Sequence, residues 1–407
     1  MSNLWLSWDE IKGRLRGRPI VFFGAAEVYI RQSLPNLDTI AFVVDNDPNE
    51  QNSTVEGIAI KAPSVLDRRS GEFFVIITSG SYDSIGDELL SYGFRAGEDF
   101  ACCPVLDNVR ILEELYSRPQ KLLLTTQDHS FYRDAANKTA GGLYELDTLT
   151  GAFERKIDGN FRQICRAGDR YLIVDELRGP LAASLDYRIL ARFGGAETAK
   201  ACGIDYDAES NLIFVANSKR DVISVYDGDS YALVREIAIS PFPKKSSHNH
   251  HINDLCVHEG YLYVSMFSLA GCLQQWAMDG GVVQIDIDTP EYRFPIDLNA
   301  YMPHSIKMLD GKLAYVESMP GRVMRNPRHA LCEIPGFVRG FCRKDGLYYI
   351  GQSEFRYLDR VPASRSYTLA EPGVHVFSER ARAGRFISLP GLRQIHDVML
   401  LDEADRS

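Results

Sequence analysis

A short pattern recurs six times in the chain after residue 160: a mostly polar pair is followed by one apolar residue. The copies start 35 to 57 residues apart and are Arg162-Gln163-Ile164, Cys202-Gly203-Ile204, Asn253-Asp254-Leu255, His304-Ser305-Ile306, Arg339-Gly340-Phe341 and His396-Asp397-Val398. After each of the first five copies comes a polar turn and an apolar run, such as Tyr261 to Val264. Strand, turn and strand units at this spacing are typical of β-propeller blades, because a four-stranded sheet stacks on its neighbours to bury both faces. The sequence therefore predicts a six-bladed β-propeller.

The sixth repeat ends at the chain terminus, before partner strands could follow its inner strand, Gln394 to Leu401. Three strand-like runs without an inner strand precede the first complete repeat: Leu122 to Thr126, Gly142 to Leu146 and Ala152 to Ile157. We expect them to complete the last blade, so that strands from both ends close the propeller and leave no open sheet edge.

A chain of 407 residues is long for one domain. We predict a Rossmann-like domain over residues 1–106, a helical linker over 107–120 and the propeller over 121–407. The linker is not rich in Gly or Ser, which favours a fixed placement of the two domains and leaves open a cleft shared between them.

The formal net charge of −10 and the pI near 5.5 argue against general binding to nucleic acid or anionic membranes, since both surfaces are negative. No stretch approaches the roughly 20 apolar residues of a membrane span. Four of the eight cysteines fall in the inner-strand repeats, where a reduced thiol fills apolar space. These features predict a cytoplasmic protein, and they do not define its oligomeric state.

The first domain begins with a strand, Ile20 to Phe23, a turn at Gly24, and a second strand that ends before Asp45. A glycine at this turn lets backbone amides face a phosphate, and an acidic residue after the second strand can accept ribose hydroxyls. The helix that follows Ser79 and Gly80 offers a second phosphate position. Gly24, Asp45, Ser79 and Gly80 are therefore the candidate cofactor-binding residues. The later glycines of the dinucleotide fingerprint are absent.

The order of elements and the runs Val43 to Asp47 and Ile77 to Ser79 resemble the small Rossmann-like domains of sugar-modifying and polysaccharide-biosynthesis enzymes. The resemblance covers about residues 19–104 and implies a nucleotide or nucleotide sugar as ligand. The alternative is a docking or dimerisation domain without a ligand.

In a propeller the innermost strands line a central channel, so equivalent residues of the six repeats form rings. We call the first residues of the repeats the polar ring: Arg162, Cys202, Asn253, His304, Arg339 and His396. The second residues are the hub ring: Gln163, Gly203, Asp254, Ser305, Gly340 and Asp397. Regular alternation would place the polar ring and the apolar third residues on one face. A twist or bulge where the strands enter the channel would remove this conflict.

Histidines from three blades, His251, His304 and His396, reach the predicted mouth of the channel. Three imidazoles suit a divalent metal ion that keeps open positions. His304 and His396, with Asp254 and Asp397, are the candidate catalytic groups for proton transfer. The alternative is that the histidines are hydrogen-bonded channel residues, since no local spacing such as HExxH supports a metal.

Arg162 and Arg339 share the polar ring, and a guanidinium pairs well with a carboxylate or phosphate. An anionic ligand is therefore expected. Lys244 and Lys245 add positive charge, as do the arginines of the stretch Pro320 to Pro335, which we interpret as an inserted loop.

The propeller stretches His251 to Leu255, Met302 to Ser305, Pro335 to Phe341 and Ile350 to Ser353 with Arg356 resemble an uncharacterised bacterial propeller family, a domain of unknown function. The resemblance implies a ring of polar residues from the inner strands. In this sequence these are Asn253, His304, Arg339 and Arg356.

Two functions remain open. The first is an enzyme of bacterial carbohydrate, nucleotide-sugar or polysaccharide metabolism. It would act at the propeller mouth on a small anionic sugar bound by Arg162, Asn253, Arg339 and Arg356, by metal-assisted lyase, hydrolase or isomerase chemistry. The second is a non-catalytic platform that binds a glycan or a protein, with the first domain as its docking module.

Overall fold

The computed structural model describes residues 4–128, 141–195, 200–239, 248–275, 278–291, 293–361 and 365–401. The chain forms two compact units that divide between Glu114 and Leu115. This division falls inside a helix, Asp107–Ser117, which occupies most of the predicted linker. No helix among the described residues is both long and apolar enough to cross a bilayer.

Unit 1 contains a six-stranded sheet and helices. Its elements are α1 Trp8–Leu15, β1 Ile20–Phe23, α2 Glu27–Ser33, β2 Ile40–Val44, β3 Thr54–Val55, β4 Ile58–Lys61, β5 Phe74–Ile77, α3 Tyr82–Ser91, β6 Phe100–Cys102 and most of α4 Asp107–Ser117. The strand order is β3-β4-β2-β1-β5-β6, and every pairing is parallel except that of β3 with β4.

The central strand β1 is buried along its whole length. Val21 and Phe23 pack into one apolar core, whereas Ile20 and Phe22 pack into another. Since successive strand residues point to opposite faces, the sheet is covered on both sides. This explains why the segment is continuously apolar in sequence.

Unit 2 is a six-bladed β-propeller built from six four-stranded antiparallel sheets. We number the blades from the first inner strand. The three outer strands of blade 6 come first in the chain: β7 Lys121–Gln127, β8 Gly142–Asp147 and β9 Phe153–Asp158. Blades 1 to 3 follow, with β10 Phe161–Ala167, β11 Arg170–Asp175, β12 Gly179–Ser184 and β13 Ile189–Arg192 in blade 1, β14 Ala201–Asp207, β15 Leu212–Asn217, β16 Val222–Asp227 and β17 Leu233–Ala238 in blade 2, and β18 Ile252–His258, β19 Tyr261–Met266, β20 Gly281–Asp286 and β21 Arg293–Leu298 in blade 3. Blade 4 contains β22 Pro303–Leu309, β23 Lys312–Glu317, β24 Arg322–Arg325 and β25 Ala330–Glu333, blade 5 contains β26 Phe337–Lys344, β27 Leu347–Ser353, β28 Gly373–Ser378 and β29 Ala383–Ser388, and the last strand, β30 Gln394–Leu401, is the inner strand of blade 6.

The sixth sheet has the order β30-β7-β8-β9, and β30 pairs with β7 from Gln394↔Gln127 to Leu401↔Lys121. The inner strands contact one another in chain order from β10 to β30, and β30 contacts β10. Blades three positions apart therefore lie on opposite sides of the channel.

Apolar cores lie between neighbouring blades. Phe214 and Val225 of blade 2, for example, share a buried cluster with Leu255, Leu262 and Val264 of blade 3. Leu255 is the third residue of its repeat, and the equivalent residues of the other repeats are buried in the same way. The third residues Ile164, Ile204, Leu255, Ile306 and Phe341 thus pack in cores shared by neighbouring blades.

The stretch from Pro320 to Pro335 is not an inserted loop, as the sequence suggested. It contains β24 and β25, the two outer strands of blade 4. Arg322 pairs with Glu333 within this hairpin, at 3.2 Å. The short strands and clustered arginines obscured the strand pattern. The predicted basic pair Lys244 and Lys245 lies outside the described residues.

Candidate functional site

Each inner strand has one extra residue where its polar pair occurs. In β10, Phe161 pairs with Asp175 and Ile164 with Ile173, so three steps along β10 match two along β11. The same mismatch occurs in the other five inner strands. Such a bulge turns side chains out of regular alternation. The polar ring and the apolar third residues are therefore not forced onto one face.

The two acidic members of the hub ring join neighbouring blades. Oδ2 of Asp254 accepts the backbone amide of Ser305 in the next blade at 2.6 Å. Oδ2 of Asp397 accepts the amide of Ile164 in blade 1 at 3.3 Å. Burial raises the pKa of Asp254 to about 7, although the bond from Ser305 opposes this shift. Because both carboxylates accept hydrogen bonds from the backbone of a neighbouring blade, the geometry gives these aspartates a structural role.

Gln163 continues this set of bonds over a longer span. Its Oε1 accepts the amides of Ile204 at 3.0 Å and Leu255 at 3.1 Å, in the next two blades. Two members of the hub ring are glycines at positions where a side chain would keep neighbouring blades apart. A Cβ on Gly203 would lie 2.9 Å from Oε1 of Gln163, and a Cβ on Gly340 would lie 2.4 Å from the Cα of Asp397. The hub ring therefore closes the centre of the propeller by direct contact between blades.

The polar ring is buried. Five members have 6% exposure or less, and the Arg162 side chain has 14%. The buried polar atoms of the ring with no hydrogen-bond partner among the described residues are Nε of Arg162, Oδ1 and Nδ2 of Asn253, Nε of Arg339 and Nε2 of His396. An unmet buried polar group costs about 1–3 kcal/mol. We therefore expect a ligand or ordered water to contact this ring.

Both arginines of the ring are held at their terminal nitrogens. Arg162 donates from one Nη to Glu176 at 2.9 Å, and Arg339 donates to Ser353 at 3.1 Å and to Gln394. Glu176, Ser353 and Gln394 are themselves fixed by the blades, so the guanidinium groups are positioned before any ligand arrives. Such preorganisation favours anion binding.

His304 has a defined tautomer. Its Nδ1 lies 3.0 Å from the carbonyl oxygen of Met302 and 2.7 Å from Oγ of Ser318. Because a carbonyl only accepts, Nδ1 carries the proton and Nε2 is the acceptor in the neutral ring.

His251 is held by a second histidine. Nδ1 of His248 lies 2.9 Å from the Ser218 carbonyl oxygen, and Nε2 of His248 lies 3.0 Å from Nδ1 of His251. By the same argument, Nδ1 of each ring carries its proton. Nε2 of His251 is therefore the acceptor nitrogen of the neutral ring.

Aromatic rings extend from these histidines across blades 3 to 5. His251 stacks on Phe267 with centroids 4.4 Å apart, and Phe267 meets His304 edge to face at 5.3 Å. Phe337 follows at 6.4 Å from His304, and Tyr357 lies 5.6 Å from Phe337. We call these five residues the aromatic arc. It gives one side of the site flat, apolar surfaces.

The positive charges of the polar ring lower the pKa of its two histidines. Burial, followed by the charge of Arg339, lowers the pKa of both His304 and His396 well below the usual value, and Arg162 contributes to both shifts. Burial and the charge of Arg356 likewise lower the pKa of Arg339, although a guanidinium remains protonated over the ordinary pH range. Near neutral pH the site therefore combines neutral imidazoles with positive guanidinium groups.

The three predicted metal ligands, His251, His304 and His396, do not form a metal-binding cluster within the described ranges. No group of three His, Cys, Asp or Glu side chains within the described ranges could hold a metal ion. Nδ1 of His251 faces His248, and the ring of Phe267 contacts both His251 and His304. A divalent metal ion at His251, His304 and His396 stays a prediction.

Beyond the hub ring, two of the fourth residues of the repeats are charged, Asp205 and Lys307, and the others are Cys165, Cys256, Cys342 and Met399. Nζ of Lys307 contacts Oδ1 of Asp397 at 3.2 Å. Oδ2 of Asp205 accepts the Val257 amide of the next blade at 2.7 Å, and burial raises the pKa of Asp205 to about 6. This ring too connects blades.

In unit 1 the predicted cofactor residues meet at the carboxyl ends of β1, β2 and β5. A Cβ on Gly24 would lie 2.8 Å from the Ser79 Cβ, so the glycine permits close packing of the two turns, next to Gly80. Oδ2 of Asp45 accepts the Ala25 amide at 2.6 Å, and its Oδ1 accepts the Asp47 amide at 2.8 Å. Asp45 therefore orders the turns, which competes with the predicted contact to ribose.

Sequence reasoning did not identify Glu176, Phe267, Ser318 or Ser353 as parts of the site. Glu176 directly follows the second strand of its blade, and Ser318 and Ser353 lie at or just beyond the ends of theirs. Recurrent polar pairs at these ends, such as Glu317-Ser318 and Gln352-Ser353, were the available signal. Their contact with the polar ring depends on the bulges, which a single sequence does not reveal.

No family model matches the chain, and no curated protein matches it. Solved structures resemble it in fold. A chain of a nidogen–laminin complex is 12% identical over 69% of this chain and 98% of its own length, with a TM-score of 0.49. A protein of unknown function from Bacteroides caccae is 11% identical over 70% and 100%, with a TM-score of 0.47. At these values the likeness carries no inference about function.

Proposed function

We propose that unit 2 is an enzyme that binds a small anionic sugar in the polar ring and acts on it there. The observation that supports this most strongly is the set of buried polar atoms on Arg162, Asn253, Arg339 and His396 that have no hydrogen-bond partner within the described part of the chain. Atoms of this kind, drawn from four blades, are expected where a ligand completes the hydrogen bonds.

The charge of the ring indicates the sign of the ligand. Arg162 and Arg339 belong to it, and the charge of Arg356 reaches both Arg339 and His396. Glu176 compensates Arg162, whereas the described contacts of Arg339 are to the neutral side chains of Ser353 and Gln394. A carboxylate or phosphate would balance the remaining positive charge.

The imidazoles supply the chemistry in this proposal. Once a bound carboxylate offsets the guanidinium charges that lower its pKa, neutral His396 can accept a proton from the ligand, and His304 offers Nε2 in a fixed tautomer. Arg339 would stabilise negative charge that develops beside the carboxylate. This combination suits lyase or isomerase chemistry that begins with proton removal. A metal ion at His251, His304 and His396 would favour hydrolysis, and metal analysis of protein without a histidine tag checks it.

The test uses calorimetric titration of galacturonate into the full chain. We expect binding that weakens at least tenfold in Arg339→Gln and Arg162→Gln. Arg188→Gln is the matched control, because that side chain is 78% exposed. Equal affinity in all four proteins, with the fold checked by circular dichroism, would contradict the proposal.

A second function is a non-catalytic binding platform. It is favoured by the use of Asp254 and Asp397 to join blades, which leaves the hub ring without an uncommitted carboxylate. Proton NMR in deuterated water separates the two functions. Exchange at the carbon beside the carboxylate, lost in His396→Gln, supports the enzyme, whereas binding without exchange supports the platform.

For unit 1 we propose a Rossmann-like domain that holds a nucleotide or nucleotide sugar at the turns of Gly24 and Gly80. The parallel order β4-β2-β1-β5-β6 supports this arrangement, and the engagement of Asp45 weighs against ribose binding. Thermal unfolding of the full chain with uridine-diphosphate sugars tests it. An unchanged midpoint at millimolar ligand would contradict it.

A further inference from the structure

The polar ring has two unlike halves. The blades pack in chain order around the channel, so Arg339, His396 and Arg162 come from the adjacent blades 5, 6 and 1. Cys202, Asn253 and His304 come from blades 2, 3 and 4. All the formal positive charge of the ring therefore lies in the first half.

The second half is neutral and offers hydrogen-bonding groups to a ligand. Asn253 is 1% exposed, and both its amide oxygen and its amide nitrogen lack a partner among the described residues. It can therefore donate and accept at the same time, as a hydroxyl group requires of its neighbours. Nε2 of His304 is an acceptor beside it in the ring, and Phe267 of the aromatic arc contacts His304.

Asn253 of blade 3 lies across the channel from His396 of blade 6. A ligand that satisfies both halves must present an anion on one side and a neutral hydroxyl-bearing part on the other. A second anionic group would face the amide, the imidazole and the aromatic arc, none of which carries a formal positive charge.

We infer that the ligand is a monoanionic sugar acid of the hexuronate class, with its carboxylate at Arg339 and Arg162 and its hydroxyl groups at Asn253. This inference rests on the proposed function. A neutral sugar would lack the anchor on blades 5, 6 and 1. A sugar diacid would place a charge on the neutral half.

The experiment compares four probes by calorimetry on the full chain: galacturonate, galactose, galactarate and tetrahydropyran-2-carboxylate. The last has the ring and the carboxylate of a uronate without its hydroxyl groups. We expect galacturonate to bind at least tenfold more tightly than each of the other three. We also expect Asn253→Ala to weaken galacturonate about tenfold and to leave tetrahydropyran-2-carboxylate unchanged, since that probe has no hydroxyl for the amide.

The results separate this inference from the function on which it rests. If no carboxylate binds, the proposed function fails. If the carboxylates bind through Arg339 but the hydroxyl groups and Asn253 make no difference, only the inference fails. Tighter binding of galactarate than of galacturonate would also overturn the inference. Asn253→Gln, which keeps an amide, provides a second variant if the alanine variant does not fold.

Discussion

Oδ2 of Asp254 lies 2.6 Å from the backbone nitrogen of Ser305 and accepts its hydrogen bond across the boundary between blades 3 and 4. The carboxylate is buried, and its pKa is raised to about 7. One side chain thus links the architecture of the hub to the pH dependence of its stability.

We predict that Asp254 makes the propeller less stable as the pH rises from about 4 to about 7. Over this range the unfolded state releases the proton while the folded state keeps it, so the free energy of unfolding falls with pH. Asp254→Asn should lose less stability over the same range. Urea unfolding of both proteins at pH 4, 5, 6 and 7 measures the difference. Parallel curves for the two proteins would contradict the assignment.

The buried histidines should act in the opposite direction. The pKa of His304 and of His396 lies well below the usual value because of burial and the charge of Arg339. Below about pH 6.5 the unfolded state takes up protons that the folded state refuses, so stability falls on acidification. Nitrogen-15 NMR of histidine-labelled protein should show both rings neutral at pH 6, with the proton of His304 on Nδ1. A doubly protonated ring at that pH would disprove the prediction.

Gly340 should not tolerate a side chain. A Cβ there would lie 2.4 Å from the Asp397 Cα, and backbone cannot move aside as a flexible side chain can. Gly340→Ala is expected to cost roughly 3 kcal/mol of unfolding free energy. Gly13→Ala is the control, because nothing lies within 4 Å of the added Cβ. Equal stability of the two variants in chemical denaturation would show that the blades are less closely joined than described.

Lys307 and Asp397 should be energetically coupled. Their ion pair spans 3.2 Å within the hub, and Asp397 also contributes to a raised pKa of Lys307 despite burial. Lys307→Met alone should cost about 3–5 kcal/mol, since it leaves a buried carboxylate without its cation. Combined with Asp397→Asn, it should cost clearly less than the sum of the two single changes. A double-mutant cycle by urea unfolding tests this, and additive losses would rule the coupling out.

The repeat was enough to predict the six-bladed propeller, because each copy combines an inner strand with a returning partner. It also defined the first two residues of each copy, from Arg162 and Gln163 to His396 and Asp397. It could not assign their roles, since Arg162 and Gln163 are both polar and only the bulge decides that Gln163 joins blades while Nε of Arg162 has no partner among the described residues.

The repeat did not predict contacts between residues that are distant in sequence. The partners of the polar ring, such as Glu176 and Ser353, follow or end second strands, and the stacking of His251 on Phe267 depends on the path of loops. Blade 4 was misjudged because its outer strands β24 and β25 are only four residues each, too short to show a strand period.

The most direct test of a binding site in the polar ring is a crystal structure of the protein grown with galacturonate. The account predicts density for the sugar inside the ring, with its carboxylate within hydrogen-bond distance of Nε of Arg339 and its hydroxyl groups against Asn253. A ring filled only by water at saturating galacturonate, or a sugar bound elsewhere on the propeller, would contradict it.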